Sequence, residues 1–174
     1  FEKLIYACNK LKIKLIILPL VDNGSLKNKK DEKNLLSILN SYKLLLKKND
    51  VKIAFESDFK PHKLKKFIKK FDKKIFGINY DLGNSSHFGY NVRKEFEAYS
   101  DRILNIHIKD RKYKGSTVKL GNGNANFKLF FKMLKKIKYN KNLILQVARS
   151  KQKKEYLDEI KKNILFLEKM QKHA

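Results

Sequence analysis

Apolar positions along the chain fall into two recurring patterns, helical faces and short continuous runs of strand length, and the two alternate from one end to the other. Phe1, Leu4, Ile5, Cys8 and Leu11 share a helical face, and Ile13–Leu20 is then a near-continuous apolar run of strand length, with Lys14 its one charged residue. Asp31 and Glu32 open a second helix with the stripe Leu35, Ile38, Leu39, Tyr42, Leu45 and Leu46. Lys47 and Lys48 close it with charges that suit the C-terminal end of the macrodipole. A strand over Val51–Glu56 follows. Pro61 suits the first turn of a helix bearing Leu64, Phe67, Ile68 and Phe71 on one side, and strand Ile75–Tyr80 comes next. Val92–Tyr99 reads as a shorter helix and Ile103–Ile108 as a strand. After a turn-rich loop, Asn126 reads as the cap of a helix that turns Phe127, Phe130, Phe131, Leu134 and Ile137 inward. A last strand is expected over Leu143–Ala148, then a long closing helix that buries Tyr156, Leu157, Ile160, Ile164, Leu167 and Met170.

Near-continuously apolar strands separated by helices imply an α/β fold with parallel pairing and both faces of the sheet covered. A doubly wound open sheet would ordinarily carry a glycine-rich phosphate turn after its first strand. Here Leu20 is followed by Val-Asp-Asn-Gly-Ser, without that spacing. A (β/α)8 barrel instead sets functional residues at the ends of many successive strands, and it needs eight strands over about 250 residues. The 174 residues supply five, so the reading is a single domain over residues 1–174 that forms a partial (β/α)8 TIM barrel. It would comprise about the last five βα units, with the chain truncated at its N-terminus, where it opens on Phe1 without a methionine. The open side of such a piece would expose apolar strand surface, which predicts self-association, a homo-oligomer included.

Polar residues recur where the strands finish: Glu56, Asp81, His107 and Gln146. Two carboxylates and one imidazole make an oxygen-rich donor set for Mn²⁺, Mg²⁺ or Zn²⁺ that needs no thiolate. Gln146 is the anomaly, a neutral amide where a carboxylate would complete the set. Each residue also has a plainer reading: His107 as a satisfied interior histidine, Glu56 and Asp81 as acids that cap the helices after their strands. His62 and His87 have no spacing argument and read as structural or exposed. Gly121-Asn-Gly123 reads as a turn, or as backbone amides approaching a phosphate.

Charge and cysteine content narrow the classes. The net charge of +25 would ordinarily point to a polyanion, yet only Arg93, Arg102, Arg111 and Arg149 are arginines among the 42 basic residues, leaving 38 lysines. Those lysines lie on the outer faces of nearly every expected helix, so a solvated surface is preferred to a nucleic-acid partner. Cys8 is the sole cysteine, which excludes an internal disulfide and thiolate zinc clusters and fits a cytoplasmic setting. The apolar stretch near Leu15–Val21, broken by Pro19, falls far short of a membrane span.

Asp81-Leu-Gly-Asn84, His107-Ile-Lys-Asp110, Val118–Phe127 and Leu143-Ile-Leu-Gln146 resemble, in order and spacing, successive signatures of the xylose isomerase-like barrels. Within these the likeness is to the sugar-phosphate isomerases and epimerases of the L-ribulose-5-phosphate 3-epimerase and hexulose-6-phosphate isomerase type. The resemblance implies that Glu56, Asp81 and His107 are ligands of a divalent metal ion, whether Mn, Mg, Zn or Co. It puts Gln146 at the position where a fourth, glutamate ligand is expected, with Glu56 and Gln146 as the catalytic pair. Asn84 falls where some relatives bind substrate, Lys109 and Arg111 are candidate anion contacts, and Asp110 is expected to organise its loop. The implied partner is a small sugar or sugar phosphate, and the implied reaction is proton abstraction next to a carbonyl through an enediolate. An amide has no accessible protonation change, so Gln146 argues against two opposed bases. Two alternatives stand beside this reading: a catalytically impaired sugar- or metal-binding barrel, and an AP-endonuclease-like nuclease, which would welcome the charge but needs a richer ligand cluster.

Overall fold

The computed structural model describes residues 1–148, 150 and 155–174. In chain order the elements are α1 (Glu2–Lys10), β1 (Leu15–Leu20), α2 (Lys29–Ser41), α3 (Lys43–Lys48), β2 (Lys52–Ser57), α4 (Pro61–Ile68), β3 (Phe76–Asp81), α5 (Leu82–Phe88), α6 (Val92–Tyr99), β4 (Ile103–Ile108), β5 (Asp110–Arg111), β6 (Thr117–Val118), α7 (Phe127–Lys136), β7 (Leu143–Leu145) and α8 (Tyr156–Lys172). The main sheet has five strands in the order β1-β2-β3-β4-β7. Strand β1 pairs parallel with β2 from Leu15 opposite Lys52 to Leu20 opposite Ser57. Strand β2 pairs parallel with β3 at Ile53 opposite Phe76, and β4 parallel with β7 at His107 opposite Ile144. Parallel strands joined through helices are what the near-continuous apolar runs require, because both faces of such a sheet are covered.

The chain divides into two compact units, Phe1–Tyr80 with Asp101–Asn105, and Asp81–Ser100 with Ile106–Ala174. The first is centred on an aromatic cluster. Phe55 of β2 packs against Phe71 at 4.9 Å between ring centroids and against Phe67 of α4 at 5.5 Å, while Phe71 meets Phe76 of β3 at 5.2 Å. Phe55, Phe67 and Phe76 are fully buried, which at about 1.5–3 kcal/mol for each large apolar side chain makes this cluster a principal source of the unit's stability. Arg102 is buried beside it and satisfies two carbonyls, donating to Phe71 O at 3.1 Å and Phe76 O at 3.0 Å. Its burial lowers the guanidinium pKa from its ordinary value. In the second unit Phe130 of α7 is buried against Phe131 and Phe96 of α6, and Phe166 of α8 sets its ring edge on Phe127 at 5.1 Å.

Three expectations change. The helix expected to run from Asp31 to Lys48 is two helices, α2 and α3, meeting at Tyr42, whose φ of −92° and ψ of −1° end the first. Helix α2 starts earlier than its acidic pair because Asn28 and Asp31 close a capping box. Glu32 faces inward; burial alone would raise its pKa, but Lys70 at 3.0 Å and Lys63 at 3.4 Å outweigh that and hold its carboxyl below the usual value. Strand β7 stops at Leu145, short of the expected Ala148. Helix α8 buries no residue fully: Tyr156, Leu157, Ile160 and Ile164 are exposed, and its inner face is the helically spaced set Glu159, Asn163, Phe166, Leu167 and Met170, all partly covered. The helix carries apolar residues on two sides, and packing against α7 selects the one bearing Phe166.

Candidate metal centre

Each strand-end polar residue stands at the finishing end of its strand. Glu56 is next to last in β2, Asp81 is last in β3, and His107 is next to last in β4. Gln146 follows β7, and its backbone N–H donates to Ile108 O at 2.9 Å, so the ladder runs one residue past the strand. Ile144 is paired with His107, and strand side chains alternate, so Gln146 lies on the His107 side of the sheet. Its side chain is exposed.

In the second unit Asp81 carries two duties. Its Oδ1 accepts the Asn84 N–H at 2.8 Å and caps helix α5, so the capping interpretation of this acid holds. Its Oδ2 lies 3.2 Å from Lys109 Nζ and 3.9 Å from His107 Nδ1. The Asp81 side chain is 1% exposed, and a carboxylate that deep is tolerated only beside positive charge or donors. Lys109 reaches it by lying along the first turn of α5, over Gly83. A Cβ at Gly83 would come within 2.6 Å of Lys109 Cγ, so only glycine leaves room for the lysine stem. The lysine expected to contact an anion thus has its ammonium on Asp81.

Asn84 and Arg111 also meet. Arg111 Nη1 donates to Asn84 Oδ1 at 2.9 Å, and its Nε and Nη2 donate to Gly115 O at 3.3 and 3.1 Å, which ties the β5–β6 hairpin to α5. His87 joins the same carbonyl, with Nδ1 3.0 Å from Gly115 O, and is half-buried; His62 is exposed. Asp110 is 1% exposed and accepts three backbone N–H groups: Gly121 at 2.9 Å, Gly123 at 2.8 Å and Ala125 at 3.0 Å. The Gly121 and Gly123 amides, considered above as phosphate donors, are therefore committed to Asp110, which organises this loop.

The first unit holds Glu56. Its Oε2 accepts from Asn79 Nδ2 at 2.9 Å, and Asn79 Oδ1 accepts from Asn105 Nδ2 at 2.7 Å. All three are buried. Sequence reasoning passed over Asn79 and Asn105, although a signal was present: each stands two residues before a strand-end polar residue, Asp81 or His107, and so on the same strand face.

The family model of the xylose isomerase-like TIM barrel matches residues 1–170. An uncharacterised protein of Methanocaldococcus jannaschii is 28% identical over 121 residues, 64% of this chain and 41% of that protein. A Haemophilus influenzae protein provisionally assigned as an L-ribulose-5-phosphate 3-epimerase is 29% identical over 115 residues, 60% of this chain and 40% of that protein. The matched region thus spans about two fifths of the curated relatives. Among solved structures, the xylose isomerase domain protein of Planctomyces limnophilus superposes with a TM-score of 0.80 at 16% identity over 98% of this chain and 64% of that one. The IOLI protein with a bound zinc atom gives 0.72 at 18% identity, covering 97% and 65%. A D-allulose 3-epimerase from a Methylomonas species in complex with D-allulose gives 0.70 at 17% identity, covering 86% and 55%. With the family model matching nearly the whole chain and a parallel α/β sheet beneath it, this chain belongs to the xylose isomerase-like TIM-barrel family.

Proposed function

We propose that the chain supplies the cation site and the base of a metal-dependent sugar or sugar-phosphate isomerase or epimerase. One observation carries this reading: in the second unit Asp81 Oδ2 lies 3.9 Å from His107 Nδ1, a carboxylate and an imidazole side by side at strand ends, and in the first unit Glu56 holds the matching strand-end position in β2. The donor set fits the group. Two carboxylate oxygens and one imidazole suit Mn²⁺, Mg²⁺, Zn²⁺ or Co²⁺, and no thiolate is called for. The provisional epimerase assignment of the Haemophilus influenzae relative supports the substrate class.

When bound, a divalent cation supplies a Lewis acid that shares the negative charge developing on substrate oxygens. The protein's own groups do the rest. Glu56 removes the proton from the carbon beside the carbonyl, and the C–H electron pair moves toward the carbonyl oxygen. Glu56 then returns that proton to the neighbouring carbon for isomerisation, while the hydroxyl proton of the first carbon passes to the former carbonyl oxygen, so that the carbonyl shifts by one carbon. Gln146 donates and accepts hydrogen bonds but takes up no proton, so with Glu56 as the single base the proton moves on one face, which yields isomerisation; epimerisation would require a second proton donor on the opposite face.

The test is exchange in heavy water. Purified protein with Mn²⁺ and a panel of ketoses and ketose phosphates should wash deuterium into the carbon next to the carbonyl. Glu56→Gln should slow this by about a hundredfold or more, and a chelator should stop it. Exchange indifferent to both would sink the proposal. The second reading, an impaired barrel, is motivated by the neutral side chain of Gln146: a native protein without exchange beside an active Gln146→Glu variant would select it.

A further inference from the structure

Two buried asparagines lie behind Glu56, and chemistry dictates the direction of their hydrogen bonds. A carboxylate only accepts, so Asn79 must turn its Nδ2 toward Glu56 Oε2, 2.9 Å away. That leaves Asn79 Oδ1 facing Asn105, which must donate through its own Nδ2, 2.7 Å away. Asn79 is 2% exposed, Asn105 4% and Glu56 8%, so water offers little competition for these bonds. The three residues come from neighbouring strands β2, β3 and β4, and Asn79 stands at the position facing Glu56 in the register that pairs Phe55 with Ile78. A buried amide pair of this kind costs desolvation that two apolar residues of the same size would avoid. Its retention in the middle of an apolar sheet calls for a task.

We propose that Asn105 and Asn79 form a one-way donor chain that sets the plane of the Glu56 carboxylate for cation binding, with Asn105 acting only through Asn79. The inference rests on the reading of Glu56 as a cation ligand. Both asparagines are positioning residues. Asn79 holds one oxygen of Glu56, and Asn105 holds Asn79 in the one amide orientation that presents a donor. Losing either should loosen the carboxylate while leaving every ligand in place, the kind of change that typically weakens metal binding about tenfold to a hundredfold.

The experiment measures Mn²⁺ affinity of the full chain by titration calorimetry and by the resonance signal of free Mn²⁺, with the melting temperature of the metal-free protein as the folding control. Four variants are compared with wild type: Glu56→Gln, Asn79→Leu, Asn105→Asp and the double Asn79→Leu/Asn105→Asp. When ionised, the carboxylate introduced by Asn105→Asp only accepts, so Asn79 must turn over and present its carbonyl to Glu56. Asn79→Leu and Asn105→Asp are each expected to weaken Mn²⁺ binding by about tenfold. The double variant is expected to match Asn79→Leu to within about twofold, because the effect of Asn105 passes through Asn79. Should Asn79→Leu fail to melt cooperatively, Asn79→Leu/Asn105→Leu replaces both amides and leaves no orphan between them. If Glu56→Gln weakens binding while Asn79→Leu and Asn105→Asp stay within about twofold of wild type, the donor chain is overturned and the cation reading stands. Losses that simply add in the double variant overturn the one-way coupling. Unchanged binding in Glu56→Gln overturns the cation reading, and this inference with it.

Discussion

Asp81 ends strand β3 and Asp110 stands two residues past the end of β4, and both end up serving the backbone, though in different proportions. Asp110 spends its carboxylate on three amides of the loop that follows β6. Asp81 spends one oxygen on the cap of α5 and turns the other toward Lys109 and His107. The sequence marks both as strand-exit acids but cannot say how their oxygens divide, because the partners come from residues brought close only by folding. For Asp110 the consequence is measurable. Asp110→Asn keeps a single acceptor oxygen for three donors, two of them on Oδ2 and one on Oδ1, and leaves an amide group facing an N–H. We expect a loss of about 2 kcal/mol, the scale of a hydrogen bond to a charged group, read from the urea midpoint at unchanged slope. A midpoint equal to wild type would show that the loop holds itself without Asp110.

At the scale of elements, helix α5 is the one that periodicity did not reveal. Its sequence, Leu-Gly-Asn-Ser-Ser-His-Phe, is poor in strong helix formers, so local propensity argues for a loop. What makes it helical is its ends: Asp81 caps the start, and Gly89 at φ 69° closes it in the left-handed conformation that glycine adopts without strain. Strand β3 illustrates the converse, a residue chosen for what lies beside it. A Cβ built on Gly77 would sit 2.5 Å from the carbonyl oxygen of Arg102 and would also meet the Leu104 side chain. A carbonyl that close cannot rotate away as a flexible side chain would. Gly77→Ala should therefore destabilise the fold by about 1–3 kcal/mol, seen as a lowered melting temperature, and a neutral result would mean that β3 and the segment before β4 separate at little cost.

For the whole chain, charge is the dominant global fact. Forty-two basic residues face 17 acidic ones, so most lysines have no acidic partner available. The exposed pairs that do form, such as Lys14 with Asp50 and Lys73 with Asp101, are each worth little. Net repulsion should outweigh them. Raising salt from about 20 to 300 mM shortens the screening length from about 20 Å to under 10 Å, and the melting temperature should rise by a few degrees. A melting temperature that falls with salt would show instead that attractive pairs govern. No helix among the described residues is long and apolar enough to cross a membrane, in line with the broken apolar stretch around Pro19.

The pattern of apolar runs by itself determined the alternation of strands and helices, the parallel α/β class and the residues standing at strand ends, because burial on two faces and a period of 3.6 leave local marks in composition. It also marked Asn126 as a cap and Pro61 as a helix start, since both act on their own neighbouring backbone. Only the tertiary structure decided the break at Tyr42, the face of α8 that is covered, and the commitment of the Gly121 and Gly123 amides to Asp110. The same holds for the line from Asn105 through Asn79 to Glu56. Each of these depends on which partner a side chain or amide meets across strands and loops, and a hydrogen bond between residues 23 or 26 positions apart leaves no periodic trace in the chain that forms it.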